Sequence, residues 1–373
     1  MSRPLSVLQL LPALESGGVE RGTLEIGAEL VRRGHRSLVI SAGGRLVPAL
    51  TAAGSEHFTW PIGRKSLTTL ALVPRLRHFL RREGVDLLHA RSRVPAWIAW
   101  LAWRGMDPAR RPRFVTTVHG FYRVNRYSAI MTRGETVIAV SDSIRDYILR
   151  NYPAVPSERI QVIHRGIDPA AYPHGYRPPE SWRRDWERVW PATRQRRLLT
   201  LPGRITRLKG HEDFLWLLRR LLDAGEPVHG LIVGGEHPRR QAYARALHQA
   251  AQRQGLADHL SFTGQRTDLR EILAISDLVF SLSRQPESFG RTSLEALALG
   301  RPVIGYDHGG VGEILARLLP AGAVPAGDRA ALLQRTRDWL AHPPRVPERQ
   351  PFTLASMLSA TIDLYQRNAP TRP

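Results

Sequence analysis

Residues 278–299 read LVFSLSRQPESFGRTSLEALAL. The first five are a short apolar run of the kind that forms a buried strand, and residues 290–299 repeat apolar side chains at helical spacing. A polar loop containing Pro286 separates them. Strand, loop and helix in that order are half of a β-α-β unit, and the order recurs on both sides. Upstream, strands are predicted over 197–201, 228–233 and 260–262, interleaved with helices over 211–224, 240–254 and 268–275. Downstream, a further strand is predicted over 302–305. Strands that alternate with helices imply a parallel sheet covered on both faces.

The amino-terminal half has the same rhythm. Strands are predicted over 5–11, 37–41, 86–89, 114–118 and 136–140, with a helix over 19–33 that sets Val19, Thr23, Ile26 and Leu30 on one face and stops at Gly34. Residues 169–197 break the pattern with Pro169, Pro173, Pro178, Pro179 and Pro191, three tryptophans and many arginines. The organisation expected is therefore an α/β domain over 1–170, a connection over 171–196, a second α/β domain over 197–350, and a tail over 351–373 whose helix, 353–368, crosses back to the first domain. Two doubly wound domains facing each other place the ligand in the cleft between them, beyond the carboxyl ends of the strands.

Composition narrows the chemistry. The chain has 373 residues, 42% hydrophobic and 23% charged, an ordinary balance for two globular domains. It has no cysteine, which excludes disulfides, thiolate metal sites and a cysteine nucleophile. The apolar run at 5–11 is too short to read as a signal peptide, and no stretch of about 18 apolar residues reads as a membrane span. The net charge of +21 calls for an anionic partner: nucleic acid, an acidic membrane surface or a phosphorylated substrate. Of the 54 basic residues other than histidine, only Lys65 and Lys209 are lysine. A compact ammonium kept against such a bias points to a position where a planar guanidinium does not serve.

Three loops carry candidate chemistry. Gly17-Gly18 lies between the first strand and the first helix, where glycines let a ligand approach helix N–H groups; a plain tight turn explains it equally well. Gly203-Arg204-Ile205-Thr206-Arg207-Leu208-Lys209-Gly210 follows the first strand of the second half. Its Arg204 and Lys209 are suited to hold a diphosphate and neutralise charge building on it as it leaves. The third loop runs from Glu287 through Phe289, Gly290, Arg291 and Thr292 to Glu295. It presents helix N-terminal amides between two carboxylates, and carboxylates accept hydrogen bonds from sugar hydroxyls.

Together these motifs resemble the retaining nucleotide-sugar glycosyltransferases of glycosyltransferase family 4, of GT-B fold. The matching features are Gly17-Gly18, the Arg204 to Lys209 loop, the Glu287 to Glu295 block with Phe289-Gly290, and Asp307-His308-Gly309-Gly310-Val311-Gly312-Glu313. The resemblance implies that Arg204 and Lys209 bind the donor diphosphate and that the backbone from Gly290 to Thr292 completes the phosphate site. It places Glu295 on the nucleotide ribose, Glu287 against the transferred sugar, and His119 near that sugar. It also implies same-face attack by the acceptor, with a leaving-group oxygen taking the proton. No two aspartates stand in an Asp-x-Asp pattern, so Arg204 and Lys209 are expected to replace a metal, and neither metal nor cofactor is expected.

The first half is then left to recognise the acceptor. Its loops carry Arg21, Arg45, Arg91, Arg93, Arg123 and Arg126. Of these, Arg123 and Arg126 are expected to meet an anionic glycan or glycolipid such as a lipopolysaccharide core. The resemblance implies a uridine donor, and the arginine-rich, cysteine-free composition suggests a bacterial source. The segment with Trp97, Trp100 and Trp103 reads either as a helix burying its aromatic face or as a patch on an anionic membrane. The expected workplace is the cytoplasmic face of the inner membrane. Three other readings compete. A sugar-nucleotide 2-epimerase shares the fold but needs an acid–base set. A nucleic-acid-binding protein would account for the charge, but no such module is recognisable and no nucleic-acid partner is expected. A donor-binding protein without catalysis is opposed by the intact Arg204, Lys209, Glu287 and Glu295.

Overall fold

The computed structural model describes residues 3–15, 17–236 and 241–370. The chain divides into two compact units, Met1–His164 with Ala355–Pro373 and Arg165–Leu354.

The first unit runs β1 Ser6–Leu10, α1 Gly18–Arg32, β2 Arg36–Ser41, α2 Val47–Ala52, β3 Glu56–Thr59, α3 Leu72–Arg82, β4 Leu87–Ala90, α4 Arg93–Arg104, β5 Arg113–Val118, β6 Thr136–Ala139, α5 Asp142–Asn151 and β7 Ile160–Val162. Among the described residues its strands form one seven-stranded sheet in the order β3-β2-β1-β4-β5-β6-β7, every pairing parallel. β4 and β6 are buried at every position, and β1, β2 and β5 at every position but the first. Helices on both faces of a parallel sheet leave its strands no wet side, which is why such strands are continuous apolar runs rather than alternating ones.

The second unit runs α6 Glu180–Val189, β8 Arg197–Pro202, α7 His211–Asp223, β9 Val228–Val233, α8 Gln241–Arg253, β10 Leu260–Gly264, α9 Leu269–Ile275, β11 Leu278–Ser281, α10 Arg291–Ala298, β12 Val303–Tyr306, α11 Gly309–Leu318, β13 Ala323–Val324 and α12 Arg329–Ala341. Among the described residues its strands form one six-stranded sheet in the order β10-β9-β8-β11-β12-β13, again with every pairing parallel. A last helix, α13 Leu354–Asn368, groups with the first unit from Ala355 onward. There Tyr365 is fully buried and its hydroxyl lies 2.6 Å from His89 Nδ1 on β4.

Two sequence expectations need correction. Residues 171–196 are not a bare connection; they pack as part of the second unit. Trp182 and Trp186, four residues apart, share one face of α6, and Trp190, which ends the helix, lays its ring 5.9 Å from that of Trp186. Trp186 is buried against Leu198, Leu231, Val233 and Ile272, and Trp182 donates its indole N–H to Asp268 at 2.8 Å. Secondly, β3, β7 and β13 were not foreseen. Each lies at a sheet edge and gives a weak apolar signal: β3 has no buried residue, β7 has one, and β13 is two residues long.

The tryptophan helix packs on the sheet. Trp103 is buried and donates to the Pro112 carbonyl at 2.8 Å, while Trp97 and Trp100 are half-buried against the same core. Among the described residues, no helix is long and apolar enough to cross a membrane.

Candidate functional site

In the second unit the chain builds from β8 outward to β9 and β10, then returns to lay β11 on the other side of β8. The loops after β8 and β11 therefore leave adjacent strands in diverging directions, the arrangement that opens a ligand crevice at the carboxyl ends of such sheets. These are the two loops that carry Arg204, Lys209 and Glu287.

The first loop is clamped. Gly203 N–H donates to the Val233 carbonyl at 2.8 Å, Ile205 N–H to Gly235 at 3.1 Å, and Lys209 N–H to Thr206 at 3.1 Å. The second is tied to it where Arg284 N–H donates to the Leu208 carbonyl at 2.8 Å. Lys209 Nζ then donates to Glu287 Oε1 at 2.7 Å. Ser283 Oγ donates to that same carboxylate oxygen. Burial pushes the Glu287 carboxyl up, but the charge and hydrogen bond of Lys209, the Ser283 hydroxyl and the charge of His308 outweigh it, holding the group below its ordinary value. Arg204 is exposed and makes no ion pair with any described residue.

A third loop supports Glu287 from behind. Gly310 N–H donates to the Glu287 carbonyl at 2.7 Å, and His308 Nε2 lies 2.9 Å from the Ser283 carbonyl. A Cβ at Gly310 would stand 2.2 Å from Phe289 Cα, so only glycine allows this approach. Gly290 has φ of 90°, the left-handed turn that starts α10. Phe289 beneath it is buried, its ring edge-on to Phe352 at 5.6 Å. Arg291 and Thr292, both half-buried, form the first turn of α10. Arg291 Nε donates to Glu295 Oε1 at 3.0 Å, so the second carboxylate is held by a partner within its own helix. The structure thus brings Lys209 and Glu287 into contact as one pair and Arg291 and Glu295 as another.

Sequence reasoning missed what anchors this region. Asp213, near the start of α7, is 3% exposed and accepts from Arg284 Nη2 at 3.1 Å, Arg329 Nε at 2.8 Å and the Tyr306 hydroxyl at 2.9 Å. Burial raises its carboxyl, yet these three partners bring it below its usual value. The network fixes the residue after Ser283 to α7, and so orients both loops. Its members are scattered over 116 positions, which leaves no local pattern to read.

The remaining candidates lie in the first unit. Its sheet reverses direction between β1 and β4. Gly17 and Gly18, both exposed, follow β1 at the start of α1, and a Cβ at Gly18 would meet nothing within 4 Å. His119 follows β5, is half-buried, and its backbone N–H donates to the Tyr122 hydroxyl oxygen at 3.3 Å. Arg123 and Arg126 are exposed on the next turn. Of the other first-unit arginines, Arg91 is not available to an acceptor, whereas Arg45 stays exposed. Arg91 is 1% exposed and donates to Gln9 Oε1 at 2.9 Å, and burial pulls its pKa down. Arg45 donates to the Glu15 carbonyl at 2.7 Å.

Comparison with known proteins follows the division of the chain. Residues 16–171 match the family model described as Glycosyltransferase Family 4, and residues 183–352 match that of Glycosyl transferases group 1. The chain is 26% identical over 325 residues to N-acetyl-alpha-D-glucosaminyl L-malate synthase of Bacillus anthracis, covering 82% of this chain and 79% of the relative. Among solved structures it is similar to a glycosyltransferase from Rickettsia africae, at 27% identity and TM-score 0.86 over 98% of this chain and 99% of that one. Its fold also matches Anabaena Alr3699/HepE in complex with UDP and glucose, at 22% identity and TM-score 0.81 over 97% of this chain and 100% of the other.

Proposed function

This chain belongs to the glycosyltransferases that join a Family 4 domain to a group 1 domain, and on that footing we propose that it moves a sugar from a uridine diphosphate sugar to an anionic acceptor, with retention of configuration and without a metal ion. The observation that carries this reading is the loop pair at β8 and β11, where Arg204, Lys209, Glu287 and the first turn of α10 belong to one switch point of the sheet.

Each residue then has a task. Arg204 and Lys209 bind the donor diphosphate and neutralise the charge it acquires as the bond to the sugar breaks. The backbone amides from Gly290 through Thr292 add the dipole of a helix start, and Phe289 packs that turn in place. Glu295 accepts hydrogen bonds from ribose hydroxyls while Arg291 holds its carboxylate. Glu287 lies against the transferred sugar, and its carboxylate stabilises positive charge developing at the anomeric carbon. The acceptor hydroxyl forms its new bond to that carbon on the face from which the diphosphate departs. Its proton goes to an oxygen of the leaving phosphate, so no carboxylate nucleophile is needed.

In the first unit, Gly17 and Gly18 leave room for the donor at the start of α1, and His119 hydrogen-bonds the sugar. Arg123 and Arg126, exposed and without an ion pair to any described residue, meet the acceptor's negative charge. The Bacillus relative, whose name gives L-malate as its acceptor, and the UDP bound by the Anabaena protein support an anionic acceptor and a uridine donor. A glycan or glycolipid of the cell envelope, including a lipopolysaccharide core, is the acceptor class we favour, met at the inner face of the membrane through the basic surface.

The test is calorimetric titration of UDP and UDP-sugars with chelator present, followed by analysis of the product formed with each acceptor. Binding unaffected by chelator, lost in Arg204→Ala, and yielding a glycoside of the donor's own configuration is the expected outcome. Binding only with a divalent ion, an inverted product, or an epimerised donor with no glycoside would overturn the reading.

A further inference from the structure

One of the two lysines, Lys65, takes no part in the site described above, and the structure gives it a setting of its own. It follows β3, at the carboxyl end of the first unit's sheet. There it lines a cavity of about 410 Å³ together with Arg64, Leu70, Val94, Trp97 and Ile98. The volume lies within the ~300–1,000 Å³ range of small-molecule pockets.

The pocket's chemistry is divided. Leu70, Val94, Trp97 and Ile98 supply hydrocarbon, and the one strong donor among them is already used, since Trp97 Nε1–H donates to the Tyr127 carbonyl at 3.1 Å. Arg64 and Lys65 stand exposed at the same opening, and neither makes an ion pair with any described residue. Among the described residues, no carboxylate lines the cavity. The segment between them is fixed rather than loose: Thr69 Oγ1 donates to the Arg64 carbonyl at 2.8 Å, and Ser66 Oγ accepts from Thr68 N–H at 3.3 Å to start the 3-10 turn Leu67–Ala71. That turn holds Leu67 at 85% and Leu70 at 48% exposure, and Leu67 is the most exposed large apolar side chain among the described residues. Apolar side chains kept in water beside a hydrocarbon-lined cavity are a cost unless something covers them.

We propose that this cavity takes the aliphatic chain of an anionic amphiphile, with Arg64 and Lys65 holding the phosphate or carboxylate at the head of the chain. The opening lies on the same sheet end as His119, Arg123 and Arg126, because β3, β4 and β5 all run toward it. The amphiphile is therefore the acceptor, which rests on the assignment of acceptor binding to the first unit. A compact phosphate at the head of an alkyl chain also accounts for an ammonium here: a point charge on a flexible stem follows a head group whose position varies with the chain below it.

The experiment uses n-alkyl phosphates of increasing length, each below its micelle concentration, titrated calorimetrically into the full chain, with UDP binding measured separately. Affinity is expected to rise about fourfold per added methylene and then level off once the chain outgrows the cavity. Leu70→Asp, a change at a half-exposed side chain, should abolish the length dependence without shifting thermal unfolding. Lys65→Glu should weaken octyl phosphate at least tenfold and leave octanol binding unchanged. Equal affinity for all lengths, or for wild type and Leu70→Asp, overturns the proposal. So does affinity that climbs without a plateau and is matched by binding to anionic vesicles that depends on Leu67, which would make this face a bilayer contact. Loss of alkyl phosphate binding with UDP binding intact sinks the pocket alone, whereas loss of UDP binding sinks the donor reading alone.

Discussion

Replacing Lys209 by methionine removes the ammonium and keeps most of the stem. In the native chain Nζ lies 2.7 Å from Glu287 Oε1, and the two side chains are 29% and 23% exposed. A fully buried pair broken on one side costs about 3–5 kcal/mol, and an exposed one about 0–1 kcal/mol. With roughly a quarter of each side chain in water, the expected cost is about 2 kcal/mol. For a unit of this size about 2–4 °C of Tm accompanies each kcal/mol, so the transition of the second unit should fall by about 4–8 °C. The loss should depend on pH. Lys209 is the main influence opposing burial at Glu287, so in Lys209→Met the carboxyl titrates higher. In the native chain the Glu287 contribution is present above the ordinary value of 4.5 and is lost as pH falls through the lowered folded value. The deficit of the variant should accordingly be largest at neutral pH and shrink below about pH 5.

A double-mutant cycle separates stability from function. Glu287→Gln leaves the ammonium without its carboxylate, so UDP should bind as well as or better than before while turnover falls. Lys209→Met should weaken UDP about 10–100-fold, the loss of one charge-assisted contact. Lys209→Met/Glu287→Gln should recover most of the lost Tm but none of the UDP affinity. Thermal melts at pH 7 and pH 5 with calorimetric UDP titration give every number needed. If Lys209→Met lowers Tm yet binds UDP like wild type, Lys209 is only a structural partner of Glu287 and the donor assignment fails with it.

Two other outcomes are expected. His211 and His229 are buried, and burial pulls both down to about 4. Both stay neutral in the folded chain but protonate near 6.5 when unfolded, so their contribution is full above pH 6.5 and is lost as pH falls toward 4. Urea melts should show stability dropping across that window by up to about 1.4 kcal/mol per pH unit for each histidine, and His211→Gln should remove one share of the slope. Gly310→Ala forces a methyl to within 2.2 Å of Phe289 Cα and must displace the backbone whose carbonyl Gly310 N–H holds at Glu287. A shift of about 1 Å there should cost about 100-fold in kcat/KM, and unchanged kinetics would show that the third loop does not position Glu287.

What the sequence made legible followed from local physics. Buried parallel strands are continuous apolar runs, and the central ones, β1, β2, β4, β5 and β8, lay where the runs did. The loops bearing Arg204, Lys209 and Glu287 stood out because Lys209 is one of only two lysines and because Glu287 and Glu295 flank a helix start after a strand. Edge strands such as β3 were invisible because half-exposure removes the pattern that betrays them. Arg91 was misjudged for a related reason: a charged residue after a strand reads as solvent-facing, and only the pairing of β1 with β4 brings Gln9 near enough to receive it. The tryptophans of α6 lay among prolines and arginines that suggested a connector, although their four-residue spacing already marked a buried face.

Lys65 and Lys209 each put a point charge where the rest of the chain uses a planar guanidinium. At position 209 the stem lies over Gly203, where even a Cβ would sit 3.4 Å from Lys209 Cδ and Cε. The stem is thus aimed by the backbone, and the ammonium at its end is shared with Glu287 through a single hydrogen bond. An ammonium has three donors that rotate freely, so one bond to a carboxylate leaves two for a phosphate on the other side. A guanidinium placed there would favour a two-pronged grip on Glu287 and present its remaining donors in a fixed plane. A site that must hold a carboxylate and a diphosphate with one cation therefore has a physical reason to keep lysine in a chain that otherwise uses arginine.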